Sequence, residues 1–119
     1  MARILIVEDE RTDQLLLYSI FEGSGHEIHV AYDGDHAFKT YLSSNIQVVI
    51  TDLYMPNVDG LELIEALFGV DPEAAIIAVS GKGAALLAQA LDMGVLAAFS
   101  KPVDPEELLE AVENAASSK

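Results

Sequence analysis

The sequence predicts an α/β fold: a doubly wound, five-stranded parallel sheet in the order 2-1-3-4-5, with five helices covering its faces. Three observations predict it. Short β-branched runs alternate with longer amphipathic runs along the whole chain. Four of the strand-like runs lead into polar or charged groups: Ile4–Val7 into Glu8-Asp9-Glu10, Val48–Thr51 into Asp52, Ile76–Val79 into Ser80, and Val95–Phe99 into Lys101-Pro102. Finally, 119 residues, 51% of them hydrophobic, suffice for the core of one domain, and no internal repeat or linker divides residues 1–119.

The elements follow in order. Residues 3–7 form the first strand. Thr12 to Gly23 reads as a helix with Leu16, Leu17, Ile20 and Phe21 on its inner stripe, ended by Gly23-Ser24-Gly25, which accept positive φ. Glu27 to Ala31 is short and polar, as expected of an edge strand. Gly34 to Ser43 is the second helix, burying Ala37, Phe38, Tyr41 and Leu42, and Ile46 to Thr51 the third strand. Asp59-Gly60 leads into a third helix with Leu61, Ile64, Leu67 and Phe68 on one stripe; Asp71-Pro72 breaks the chain before a fourth strand, Ala75 to Ser80. Gly81-Lys82-Gly83 turns into a helix from Ala84 to Met93, stopped by Gly94, and Val95 to Phe99 is the fifth strand. The last helix has the clearest start: Asp104 caps, Pro105 occupies the first turn, and Glu107 has capping-box spacing. Its Leu108, Ala111, Val112 and Ala115 face the sheet, and Ala115 to Lys119 frays into a polar tail.

Composition narrows the function. The formal charge is -14, with only six Lys and Arg, which opposes binding to nucleic acid or to anionic membrane. Twenty acids exceed any one cation site, so most form a solvated face. There is no cysteine, which removes disulfides, thiolate metal sites and cysteine nucleophiles. The apolar run at the start is too short for a signal-peptide core, and no run has the length of a membrane span; a cytoplasmic location is expected.

In a parallel sheet, strand ends of one polarity share an edge, and the order 2-1-3-4-5 reverses between strands one and three. The crevice therefore falls between Asp9 and Asp52, with Ser80 and Lys101 on the same edge. Hard divalent cations such as Mg²⁺, or alternatively Mn²⁺, take oxygen ligands. Asp9 and Asp52 could bind one directly, Glu8 through a water or by its longer side chain, and the Tyr54 backbone carbonyl could supply a further oxygen. The competing reading makes the acidic run a cap on the first helix. Asp52 is a candidate nucleophile, since a carboxylate can form an acyl phosphate, or else a turn residue. Ser80 can donate a hydrogen bond to a phosphoryl oxygen and Lys101 can supply a point charge; a cap and an exposed charge are the alternatives. Four strand ends carrying four suitable groups favour the phosphoryl reading over separate caps.

With these residues in place, the chain resembles a receiver domain of bacterial two-component response regulators over essentially its whole length. Glu8-Asp9 resembles the acidic pair, with Glu8 departing from the commoner Asp. The segment Asp52-Leu53-Tyr54-Met55-Pro56-Asn57-Val58-Asp59-Gly60 resembles the phosphoacceptor loop, Ser80 the hydroxyl position, Lys101-Pro102 the Lys-Pro dipeptide and Phe99 the switch aromatic. The resemblance implies a flavodoxin-like receiver fold, a cis Lys101-Pro102 bond, and transfer to Asp52, with Mg²⁺ bound, from a histidine kinase or histidine phosphotransfer domain. It also implies that Ser80 and Phe99 move together, altering the helix 4–strand 5–helix 5 face for a downstream effector or output domain. Such a domain is a signalling component, catalysing only its own phosphorylation and slow autodephosphorylation.

The resemblance places Tyr54 and Lys82 beside the phosphoryl group, where Tyr54 could screen it from water and Lys82 could add a cation. It also makes Leu15 and Asp13 candidate kinase contacts; extra packing is the other reading for Leu15. His26, His29 and His36 show no ligand spacing and are expected at the surface. The Ala-rich fourth helix, with Leu86, Leu87 and Leu91, could support a partner or a dimer. Other classes fit less well. An aspartyl-phosphate phosphohydrolase needs another acid/base and a substrate pocket, for which 119 residues leave no cap domain. A flavodoxin-like cofactor binder needs a phosphate-cradling loop where this chain has acids. A degenerate receiver acting only as an interaction module would not need the intact Asp9, Asp52, Ser80 and Lys101. The chain could be a freestanding receiver or a relay intermediate, or else part of a longer regulator or hybrid kinase, for which the polar end at Ser117-Ser118-Lys119 fits a linker.

Overall fold

Successive side chains of the strands point to opposite faces of the sheet and divide the interior into two cores, one on each face. The computed structural model describes residues 1–55 and 60–117; Pro56 to Asp59, including the expected approach to the third helix, and the end at Ser118-Lys119 lie outside the described residues. The elements are β1 (Arg3–Val7), α1 (Arg11–Phe21), β2 (Glu27–Ala31), α2 (Gly34–Ser43), β3 (Val48–Asp52), α3 (Gly60–Val70), β4 (Ile76–Ser80), α4 (Ala84–Met93), β5 (Ala97–Ser100) and α5 (Pro105–Ser117). All five strands are parallel, in the order β2-β1-β3-β4-β5.

Leu5, Val7, Val49, Ile76 and Ala78 point to one face, where Ala37, Leu63, Ile64, Leu67, Leu87 and Ala90 of α2, α3 and α4 cover them. Ile4, Ile6, Val48, Ile50, Ile77 and Val79 point to the other, against Leu17, Phe21, Leu108, Val112 and Ala115 of α1 and α5. Burying β1, β3 and β4 on both faces is why their sequences are nearly continuous apolar runs. Each fully buried Ile or Leu contributes about 1.5–3 kcal/mol relative to exposure, so the register of these strands is strongly specified.

Helix boundaries follow local chemistry. Asp33 caps α2 by accepting a hydrogen bond from the His36 amide at 2.7 Å. Asp104 caps α5 by accepting from the Glu106 and Glu107 amides at 2.9 and 3.2 Å. Gly94 ends α4 at φ 112°, where an L side chain would be strained. The Lys101-Pro102 peptide is cis, as expected.

Several expectations are corrected. Leu16 is not on the inner stripe of α1 but 59% exposed; the buried stripe is Leu17 and Phe21, and Leu16 stands one 100° step away, beside an open groove. Leu42 is likewise 59% exposed near the end of α2, whereas Phe38 and Tyr41 pack partly against the core. In α3, Leu63 is buried alongside Ile64 and Leu67. β3 and β5 begin two residues later than expected, at Val48 and Ala97, because pairing rather than hydrophobicity sets where a ladder starts; Ile46 and Val95 are buried before the strands begin. His26 is not a surface residue: its side chain is only 5% exposed. The Ala2 amide donates to its Nδ1 at 2.9 Å, which leaves Nε2 to carry the proton toward Glu113 Oε1, also at 2.9 Å. His29 and His36 are partly buried, the first bonded to Glu27 Oε2 at 2.7 Å and the second tilted against the Tyr32 ring.

Candidate functional site: an acidic cleft around Lys101

The site is built from the carboxyl ends of β1, β3, β4 and β5. Parallel register sets Val7 beside Thr51, Asp52 beside Val79, and Ser80 beside Ser100. The polar groups that follow these strands therefore meet at one edge. They line an open cleft of about 390 Å³ formed by Glu8, Asp9, Glu10, Asp13, Asp52, Tyr54, Gly81, Lys82 and Lys101.

Glu8, Asp9 and Asp52 each offer a carboxylate oxygen, all within 4.8 Å of one another. Asp9 is exposed, whereas Glu8 and Asp52 are buried. Oxygen-only donors of this charge, open to solvent on one side through Asp9, suit a hard divalent cation that keeps some of its water. Burial pushes the Glu8 carboxyl up to about 7; the hydrogen bond from Lys101 opposes that rise and the Asp52 charge adds to it. A cation among the three acids would lower this cost by favouring the charged forms.

Lys101 is the counter-charge. Its Nζ donates to Asp13 Oδ2 at 2.7 Å, to Glu8 Oε1 at 2.8 Å and, at greater length, to Asp52 Oδ2 at 3.4 Å. Burial works against its charge, but the bonds to Asp13 and Glu8 and the Asp52 charge outweigh it, so the ammonium is held above the ordinary lysine range. The Lys101 amide donates to Ser80 O at 3.0 Å, tying the end of β5 to that of β4.

The start of α3 lies against the residues that end β3. The Tyr54 amide donates to Asp52 Oδ1 at 3.2 Å, and the Gly60 amide to Leu53 O at 3.2 Å. A Cβ on Gly60 would lie 2.5 Å from Leu53 Cα and 2.7 Å from Asp52 O, so only glycine lets α3 begin this close to the acidic residue. Ser80 is buried, and its Oγ accepts from the Lys82 amide at 3.1 Å. Lys82 Nζ stands 5.0 Å from the centre of the exposed Tyr54 ring, a cation–π contact across the mouth of the cleft. Phe99 lies apart, half-buried in β5, bordering a shallow depression with Glu107, Glu110, Ala111 and Asn114.

The fold thus brings together Glu8, Asp9, Asp52, Tyr54, Lys82 and Lys101, places buried Ser80 under the same edge and leaves Phe99 outside. Asp13 is the member that sequence reasoning did not place here. Its signal was faint: it lies in the first turn of α1, close after the acidic run, and its partner is 88 residues away.

Comparison with known proteins agrees with this arrangement. A family model described as the response regulator receiver domain matches residues 4–113. The chain is 31% identical over 118 residues to the chemotaxis protein CheY of Listeria monocytogenes, covering 98% of this chain and 99% of that one. It is 27% identical to sporulation initiation phosphotransferase F of Bacillus subtilis, covering 93% and 90%. Among solved structures, a response regulator receiver domain protein from Clostridium thermocellum superposes with a TM-score of 0.93 at 27% identity, over 99% of this chain and 96% of that one.

Proposed function

The chain belongs to the response regulator receiver family, a family of phosphoacceptors in two-component signalling, and from that premise we propose that Asp52 is its phosphoacceptor. The observation that carries this reading is the single cleft in which buried Asp52 meets Glu8, Asp9 and the Lys101 ammonium. The donor is a phosphohistidine on a histidine kinase or histidine phosphotransfer domain. An Asp52 carboxylate oxygen attacks phosphorus, the P–N bond breaks, and the imidazole leaves with that electron pair and takes up a proton.

Glu8, Asp9 and Asp52, with the Tyr54 backbone carbonyl, would hold Mg²⁺ or alternatively Mn²⁺, which would supply positive charge to offset that of the phosphoryl oxygens. Lys101 stabilises the same charge from the β5 side. Ser80, as acceptor in its bond with the Lys82 amide, can still donate its hydroxyl hydrogen to a phosphoryl oxygen. Tyr54 and Lys82 cover the mouth of the cleft and set the lifetime of the acyl phosphate. Movement of Ser80 toward the phosphoryl group shifts the packing around Phe99, and the α4–β5–α5 face changes its affinity for an effector or output domain.

Residues 1–119 act as one receiver domain, and the likeness to a sporulation phosphotransferase supports a relay role. The cytoplasmic location follows from this reading; of the fold itself, no helix among the described residues is long and apolar enough to cross a membrane. Incubation with ³²P-labelled acetyl phosphate and Mg²⁺ tests the proposal. Wild type should take up label and Asp52→Asn should not; equal labelling of both overturns it.

A further inference from the structure

Resting on that reading, we propose that Asp13 is a positioning residue that restrains Lys101 and thereby slows phosphorylation of Asp52. An ammonium has three hydrogens to donate, and three carboxylates take them: Asp13, Glu8 and Asp52. The bonds to Asp13 and Glu8 are 0.6–0.7 Å shorter than the one to Asp52, so the ammonium is drawn toward the β1–α1 side of the cleft and away from the phosphoacceptor (2.7 and 2.8 Å against 3.4 Å). The hydrogen aimed at Asp52 can pass to a phosphoryl oxygen there, but closing that contact to the length of the other two draws the ammonium away from Asp13 or Glu8.

Burial decides which. The Glu8 side chain is 1% exposed, so no water can replace the lysine at its Oε1, even though the Glu10 amide still donates to Oε2 at 3.2 Å. The Asp13 side chain is 26% exposed and can turn to solvent. Asp13 is therefore the releasable partner, and its pull sets part of the cost of moving Lys101. A place in the first turn of α1, where acids favour the helix dipole, explains an acid at this position but not its contact with Lys101.

The initial rate of phosphorylation by acetyl phosphate with Mg²⁺ tests this in intact protein. Asp13→Asn should react about three- to tenfold faster, in the lower part of the range expected when a pair in direct contact is uncoupled. Asp13→Glu, which keeps the charge and can keep the pair, should stay within about twofold of wild type. Glu10→Gln removes a charge from the same cleft without touching Lys101, and should gain less than Asp13→Asn. The decisive arm is the Lys101→Ala background, where adding Asp13→Asn should bring no further gain, because the residue it acts through is gone. An Asp13→Asn rate equal to or below wild type, a gain matched by Glu10→Gln, or a gain that persists without Lys101 overturns the restraint. Failure of wild type to be phosphorylated at all would instead overturn Asp52 as acceptor.

Discussion

Lys101 Nζ lies 2.8 Å from Glu8 Oε1, although 93 residues separate them in the chain. The contact joins the end of β1, an inner strand, to that of β5 at the edge of the sheet. It places a positive charge beside a buried acid whose ionisation is otherwise costly. Two properties of the molecule follow from this pair, one thermodynamic and one chemical.

The thermodynamic one concerns pH. Glu8 holds its proton up to about 7 in the folded protein, above the ordinary glutamate value of 4.5. Between those values the folded state binds more protons than the unfolded chain, so Glu8 lowers stability as pH rises through this window. Glu8→Gln removes that slope. In metal-free buffer with a chelator, urea unfolding at pH 5 and pH 8 should show the variant gaining on wild type by on the order of 1–3 kcal/mol. The same variant should bind Mg²⁺ more weakly. A pH-independent difference in stability contradicts the account.

Gly60 brings the start of α3 against the backbone of the site. A methyl group there meets Leu53 Cα at 2.5 Å and Asp52 O at 2.7 Å, both main-chain atoms that cannot rotate away. Gly60→Ala should destabilise by about 1–3 kcal/mol, as overpacking does, and should also lower the phosphorylation rate because Asp52 itself is displaced. Denaturant unfolding and acetyl phosphate labelling measure the two effects; full stability with full activity would show that α3 shifts freely.

Tyr41 tests the opposite end of the pH scale. Its hydroxyl donates to Asp71 Oδ2 at 2.6 Å, bridging α2 to the residue after α3. Burial, then the Asp71 hydrogen bond and charge, hold the phenol above its ordinary value of 10.0. Stability from this group is complete below about pH 10 and declines above it, as the unfolded phenol ionises first. Tyr41→Phe should cost about 1 kcal/mol at pH 7 and flatten part of the alkaline decline; Lys101, also raised, keeps the remainder. An unchanged alkaline slope in the variant would show that the phenol does not contribute.

Tyr54 and Lys82 form the rim. The Tyr54 ring is 56% exposed and stands under the Lys82 ammonium at 5.0 Å, so it contributes little core packing. Tyr54→Ala should leave stability within about 0.5 kcal/mol and speed loss of the phosphoryl group several-fold by admitting water. Decay of the labelled protein after removal of donor measures this. Unchanged or slower decay shows that the ring does not screen.

How much of this was legible before the fold was known follows from the kind of signal each residue leaves. Strand ends are local: apolar runs stopping at Glu8, Asp52, Ser80 and Lys101 can be read directly, and parallel topology converts them into a shared edge. Helix starts with their own chemistry, as at Asp104-Pro105, are equally local. Leu16 and Leu42 were misplaced because a helical stripe only shows which residues could face inward, and neighbouring elements decide how wide the covered stripe is. His26 was misplaced because its bonds join it to Ala2 and to Glu113, 87 residues away. Asp13 was missed as a partner of Lys101 for the same reason. The clash at Gly60 also depends on the return of the chain, so the residue could be read as a helix start but not as the only side chain that fits.

The central claim is that Asp52 itself carries the phosphoryl group. Reducing the phosphorylated protein with sodium borohydride converts an aspartyl phosphate to homoserine, and peptide sequencing by mass spectrometry locates it. The account predicts homoserine at position 52. Homoserine at position 9 or 13, with Asp52 intact, would contradict it.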